Sequence, residues 1–297
     1  MAIITGQYPS GFAETIVGTS GDDTIYPLGG WDTVDGGLGV DTLVVVAEAG
    51  AFRITADNGT TYLDAISSAS SYDFVSLRNV EYVQFSDQTV SLIIDDRIIN
   101  KPGSENLDGG PGIDTLVYAG PRSNYLITPG TGSRATVQNK LGLEGGDNLL
   151  SIERLEFSDI NLALDLNGNA GQSLMFIGAV AHGLVGNAGA IGTILNLFDQ
   201  GMSMLEVCQL AIDVNLVSAL AGSSSNEDLA RLVWRNVVGV EADQGAVDLL
   251  LSFMDGRNAA FSQAQLLATV AQLDVNQQHV NLVGLASTGV EYLPFAA

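Results

Sequence analysis

Asp23-Thr24-Ile25, Asp32-Thr33-Val34 and Asp41-Thr42-Leu43 repeat one tripeptide, acid then threonine then aliphatic, on a nine-residue beat. Glycines crowd the intervals. Gly36-Gly37-Leu38-Gly39-Val40-Asp41-Thr42-Leu43-Val44 fits G-G-x-G-x-D-x-U-x throughout, U being a large aliphatic. Glycine admits positive φ, so a short run can reverse direction with its carbonyl oxygens turned inward. The Asp carboxylate adds charge and a second kind of oxygen, and calcium takes hard oxygen ligands. The next aliphatic side chain is expected to point into a narrow core between two short-stranded sheets.

The chain then repeats itself. Asp35–Val44 matches Asp108–Val117 at an offset of 73, and Phe52–Thr55 matches Tyr125–Thr128 at the same offset. Val80-Glu81 through Asp87 matches Ile152-Glu153 through Asp159 at an offset of 72, so one residue is deleted between. The second copy keeps one complete nonapeptide, Gly109–Val117, while its beat loosens to Asp96, Glu105 and Asp114. Tyr82–Phe85 and Arg154–Phe157 alternate polar and apolar and read as strands. Ala56–Ser71 and Pro129–Asp147 read as hairpins or loops.

These nonapeptides resemble RTX repeats, the calcium-binding modules of bacterial proteins exported by type I secretion. The resemblance implies a β-roll in which two nonapeptides make one coil, so that aspartates eighteen apart share an edge. Asp23 and Asp41 would then lie on one edge and Asp32 on the other. The implied calcium residues are Asp23, Asp32, Gly37, Gly39 and Asp41 in the first module, and Glu105, Gly110, Gly112 and Asp114 in the second. Gly29-Gly30-Trp31-Asp32 lacks the third glycine of the pattern. Asp165-Leu166-Asn167-Gly168-Asn169 looks like the start of another calcium loop, but no acid closes it at the twelfth position. A tight turn into a helix is the better expectation there.

Charge agrees with a cation ligand. The chain has 34 Asp and Glu against 11 Lys and Arg, a net charge of -23, and residues 1–165 hold 23 of those acids. Nucleic acid and anionic membrane are poor partners for such a surface. Cys208 is the single cysteine, sits in an apolar helical pattern and reads as a buried thiol. The N-terminus lacks the basic and apolar regions of a Sec signal peptide, and no window is apolar enough for a membrane span.

After Asp165 the texture turns helical. Apolar residues recur at Leu174, Ile177, Val180, Ala181 and Leu184, then at Ile191, Ile194, Leu195 and Phe198, with further runs to Leu273. Asp165–Gln172, Leu232–Gly239 with Asp243 and Gly245, and Gly289–Tyr292 resemble a helical domain of unknown function common near the C-terminus of type I-secreted RTX proteins. Phe176, Asn187 and Leu195 stand where that family usually carries Tyr, Arg and Trp. The tail Glu291–Ala297 is similar to the uncleaved secretion signals of such proteins. No H-E-x-x-H, G-x-S-x-G or P-loop occurs. His182 and His279 read as separate surface or capping residues, and Glu81 and Glu153 as equivalent structural positions.

The expected fold is therefore α+β. Tandem RTX-like β-roll (β-solenoid) modules span 1–97 and 98–165, and an all-α helical domain with the secretion signal spans 166–297. The expected function is a secreted, calcium-binding, non-enzymatic structural or adhesive protein of the bacterial surface or matrix. Its partners would be other copies of itself and, during export, the type I machinery. The alternative is a monomeric module for glycan or a host surface, with calcium as fold stabiliser.

Overall fold

The structure is a computed structural model, and it describes residues 2–8, 12–57, 59–66, 72–130, 133–142, 144–254 and 261–295. The chain divides into two compact units, Met1–Val117 with Thr131–Ile152, and Tyr118–Gly130 with Glu153–Ala297. The division falls neither at 97 nor at 165. Strands of the second repeat belong to both units.

In the first unit the threonine–aliphatic tripeptides become short parallel strands. Ala2–Thr5, Asp23–Tyr26, Thr42–Val44 and Tyr82–Gln84 lie side by side, closed by antiparallel Thr89–Ser91. A second sheet runs Thr15–Val17, Gly30–Asp35 and Tyr72–Arg78, then turns antiparallel through Thr60–Ala65 and Phe52–Asp57. Thr24 lies beside Thr42 and Thr15 beside Thr33, so a coil takes 18 residues. The next step is longer, with Thr33 beside Ser76, because the hairpin Phe52–Ala65 is inserted. Ile25, Val34 and Leu43, the aliphatics of the beat, are completely buried with Leu63, Val75 and Val83.

The repeat is legible in the register. Arg97 lies beside Thr115, again 18 residues on, and Asn106 beside Asn148. The pair Asn106–Asn148 is the pair Thr33–Ser76 displaced by 73 and 72 residues. Arg134–Asn139 and Gly146–Leu150 form the second inserted hairpin. Asn79 and Ser151, themselves 72 apart, both adopt positive φ where each inserted segment ends.

The second unit packs helices Asn169–Ala181, Ala188–Asp199, Met204–Asp213, Asn226–Val238, Gln244–Met254 and Gln263–Ala271 around one apolar core. Shorter helices follow at Asp274–His279 and Leu282–Leu285. Ser203 and Ser262 each start a helix with a full capping box, closing two orphan amides reciprocally. Cys208 is buried, and burial pushes its thiol up to about 12.

The expectation of an all-α domain fails at its end. Val290–Tyr292 is a strand, antiparallel to Asn161–Ala163, which itself pairs with Arg154–Glu156. Val290 and Tyr292 alternate with exposed Glu291, a half-buried strand pattern. Beneath it Arg154 is 2% exposed, bonded through one guanidinium nitrogen to Asp165 and through the other to Asp199 at 2.8 Å. Asp165 also accepts the Ala170 amide at 3.3 Å. The loop that begins like a calcium site is thus a turn into the first helix, its acid already neutralised by an arginine.

The two histidines, taken singly as surface residues, meet. Their rings stack with centroids 4.0 Å apart and planes 14° from parallel. His279 Nδ1 lies 2.8 Å from the Asn236 carbonyl. Burial and then the His279 ring hold His182 below its ordinary value of 6.5. The unfolded chain therefore takes up this proton more readily. The stability contributed is whole above pH 6.5 and lost as pH falls through the depressed value. Denaturant midpoints of the helical unit should drop below pH 6.5, and His182→Phe, which stacks but does not titrate, should reduce that drop. Equal drops in both proteins would remove His182 from the account.

Candidate metal centre

The nine-residue beat places its carboxylates on the edges of the stacked coils, where glycine turns join the two sheets. On one edge they form a ladder. The Ala2 amide donates to Asp23 Oδ1 at 3.0 Å, the Asp23 amide to Asp41 Oδ1 at 2.7 Å, and the Asp41 amide to Glu81 Oε2 at 2.6 Å. Each acid holds the start of the strand one coil earlier. On the other edge the Glu14 amide donates to Asp32 Oδ1 at 3.2 Å. Asp23 and Asp41 thus share an edge, and Asp32 sits apart.

The turns between these acids are built for close approach. Gly37 and Gly39 have φ of +96° and +120°, and a Cβ would meet the Thr19 carbonyl oxygen at 2.1 Å and the Asp22 amide nitrogen at 2.6 Å. Leu38 donates to that Thr19 oxygen at 3.2 Å, and Val40 to Asp22 Oδ1 at 2.9 Å. Gly110 and Gly112 repeat the positive φ in the second module. There Asp96 donates its amide to Asp114 Oδ1 at 2.7 Å and Ile113 to Asp95 Oδ1 at 2.8 Å, again eighteen residues apart.

The acids differ in what remains open. Asp23 is satisfied: the Thr19 amide donates to it at 2.6 Å and the Thr19 hydroxyl at 3.1 Å. That Thr19 amide leads the causes that hold its carboxyl below 3.8. Asp41 is wholly buried, and its Oδ2 has no hydrogen-bond partner in the protein. Burial first, then the charges of Asp23, Asp22 and Asp35, push it up. Asp32 also buries an unpartnered Oδ2, and burial, with Glu14 beside it, pushes it up to about 6. Burial and Asp41 raise Glu81 as well.

A buried carboxylate oxygen without a donor costs free energy unless a cation or proton meets it. Among the described residues no three Asp, Glu, His or Cys side chains lie together closely enough to hold a metal by themselves. A cation here must take backbone oxygens from the turns as well. One open carboxylate oxygen beside a glycine turn, ringed by further negative charge, fits a hard divalent ion such as calcium.

Not every expected residue stands where the beat suggests. Glu105 is half-exposed, and its amide donates to Asp147 Oδ1 at 3.0 Å. Asp147, 3% exposed, is the buried acid of that edge, and Glu105 stands toward it as Glu14 stands toward Asp32. Glu81, Asp22 and Asp147 are the site residues that the beat misses. The doublets Asp22-Asp23 and Asp95-Asp96, offset by 73, carry a usable signal for Asp22. Glu81 and Asp147 follow long inserted segments, so no fixed spacing marks them.

Residues 8–43 match the family model of the RTX calcium-binding nonapeptide repeat (4 copies). That stretch is an RTX repeat array, and RTX nonapeptide repeats bind Ca2+. Repeats of this kind are typical of secreted proteins. No curated protein sequence matches the chain. Among solved structures it is similar to the extracellular lipase LipA from Serratia marcescens at 10% identity and a TM-score of 0.18, over 47% of this chain and 36% of the lipase. The chain spans about a third of that enzyme's length, and at this score the likeness carries no structural argument. Among the described residues no helix is long and apolar enough to cross a membrane.

Asp41→Asn should weaken calcium binding by about tenfold or more in calorimetry, equivalent to roughly 1.4 kcal/mol. Glu81→Gln should weaken it less, and Asp213→Asn on the helical unit should leave it unchanged. Wild-type affinity in Asp41→Asn would rule out this edge.

Proposed function

We propose that the chain is a secreted, calcium-conditioned, non-enzymatic building block of a bacterial surface or matrix, whose copies associate through the ends of two β-roll modules. The observation that carries this reading is the ladder Ala2–Asp23–Asp41–Glu81 with its open Asp41 oxygen, which ties stacking of the coils to a cation. A ligand that binds only the folded form adds RT ln(1+[Ca]/Kd), about 2.7 kcal/mol at a hundred times Kd. Folding then follows calcium, low inside a cell and high outside. Type I export and a secretion role for the C-terminal tail belong to the same proposal, as do the module boundaries after 97 and 165.

Self-association draws support from strand edges. Ala2–Thr5 and Thr15–Val17 each end a sheet, as do Arg97–Ile99 and Asn106–Asp108 in the second module. Ile3, Val17 and Ile99 are exposed on these strands. A strand at the edge of a sheet can template pairing with another chain. Sedimentation of the purified protein should show large assemblies in millimolar calcium that chelator dissolves. A monomer in both conditions at high concentration would overturn the reading.

One observation favours a second role. Trp31, Phe74 and Tyr62 lie on neighbouring strands of one sheet, with ring centroids 6.1 Å and 5.8 Å apart, and Trp31 is 59% exposed. Thr33 and Ser76 beside them are bonded to each other at 3.2 Å through their hydroxyls. Such a row can stack against the apolar faces of sugar rings. Trp31→Ala should abolish retention on immobilised polysaccharide while calcium binding persists. Unchanged retention, or none in the wild type, would leave only the scaffold role.

A further inference from the structure

The helical unit contains a cavity of about 360 Å3 between the helices Asn226–Val238, Gln244–Met254 and Gln263–Ala271. Trp234, Val237, Leu250, Phe253, Phe261 and Val270 line it. Of its polar side chains among the described residues, Thr269 donates its hydroxyl to the Gln265 carbonyl at 2.7 Å. The described lining presents only apolar surface to the space. An apolar cavity of about 150 Å3 already stays dry and takes up a benzene-sized molecule. This one is more than twice that size and falls within the usual range of ligand pockets, about 300–1,000 Å3.

The mouth narrows the choice of occupant. Leu249, Val275, Leu273 and Phe253 border it half-exposed, a continuous apolar entrance rather than a sealed void. Two exposed acids flank these residues in sequence, Asp248 before Leu249 and Asp274 between Leu273 and Val275. Asp248 accepts only the Gln244 side-chain amide at 2.8 Å. Among the described residues the nearest cation in sequence to the lining, Arg235, one turn before Val238, lies 3.9 Å from Glu241. The chain as a whole carries -23. An anionic head is repelled here; a neutral or cationic one is not.

We infer that this cavity binds a single alkyl chain, carried by a molecule with a neutral or cationic headgroup. The apolar lining takes the chain, and the protein's net charge of -23 disfavours an anionic head. Burying alkyl surface drives binding at roughly 0.8 kcal/mol per methylene. Nothing in the calcium edges is required for this.

Trp234 supplies the readout. In the full-length protein with calcium present, Trp31→Phe leaves Trp234 as the only tryptophan. Dodecyl maltoside and dodecyltrimethylammonium, below their micelle concentrations, should each change its fluorescence saturably. Dodecyl sulfate should bind about tenfold more weakly or worse. Leu249→Glu and Val275→Glu alter half-exposed sites that the fold tolerates, and each should cut affinity about tenfold or more with an unchanged far-ultraviolet spectrum. No saturable change, or one that both variants retain, would overturn the site. Equal binding of dodecyl sulfate would overturn the headgroup assignment. If instead Leu249→Glu dissociates assemblies without affecting the probes, the cavity mouth is covered by a second copy and the inference falls.

Discussion

Everything in the first unit depends on one bond type, a backbone amide donating to a buried carboxylate one coil further along. A carboxylate at such an edge satisfies an amide that would otherwise end a three-residue strand with no partner. It also places negative charge beside negative charge. Asp41 accepts from Asp23, donates to Glu81 and has Asp22 and Asp35 nearby. The same groups that hold the coils in register repel one another. Under the proposed reading a cation at the Asp41 oxygen that lacks a donor would offset this repulsion.

That coupling explains why the coils are so short. Three-residue strands such as Thr42–Val44 bury one aliphatic each and cannot stand alone. Stability is shared between a thin core, with Ile25, Val34, Leu43 and Val83 completely buried, and the edges. The inserted hairpin Phe52–Ala65 broadens one sheet and adds Leu63 to the core, beside Val75 and Leu77 of Tyr72–Arg78. The helical unit is organised differently. Its core is a continuous helix-packed cluster, and its buried Arg154 is paired with both Asp165 and Asp199.

Much of this was written in the sequence in local form. The beat Asp23, Asp32, Asp41 specified the 18-residue coil, the sorting of acids between edges and the buried aliphatics. The offsets of 73 and 72 reappear residue for residue in strand register. What spacing could not carry was pairing across long insertions. Glu81 and Asp147 complete ladders with partners 40 and 42 positions earlier, only once the chain between has folded out of the way. The same limit hid the stacking of His182 on His279 and the return of Val290–Tyr292 to a sheet. Each depends on elements that share no local period. The beat marks Glu105 but not its neighbour in space, Asp147, which accepts the Glu105 amide.

The strand Val290–Tyr292 sets a condition on timing. Its partner Asn161–Ala163 lies 131 residues earlier, from Asn161 to Tyr292, and the whole helical bundle is strung between them. Closing so long a loop is slow compared with forming the helices inside it. The sheet these strands make is therefore completed late, once the helices between them have brought the two segments together, and a chain cut short anywhere before Val290 would leave Asn161–Ala163 without that partner.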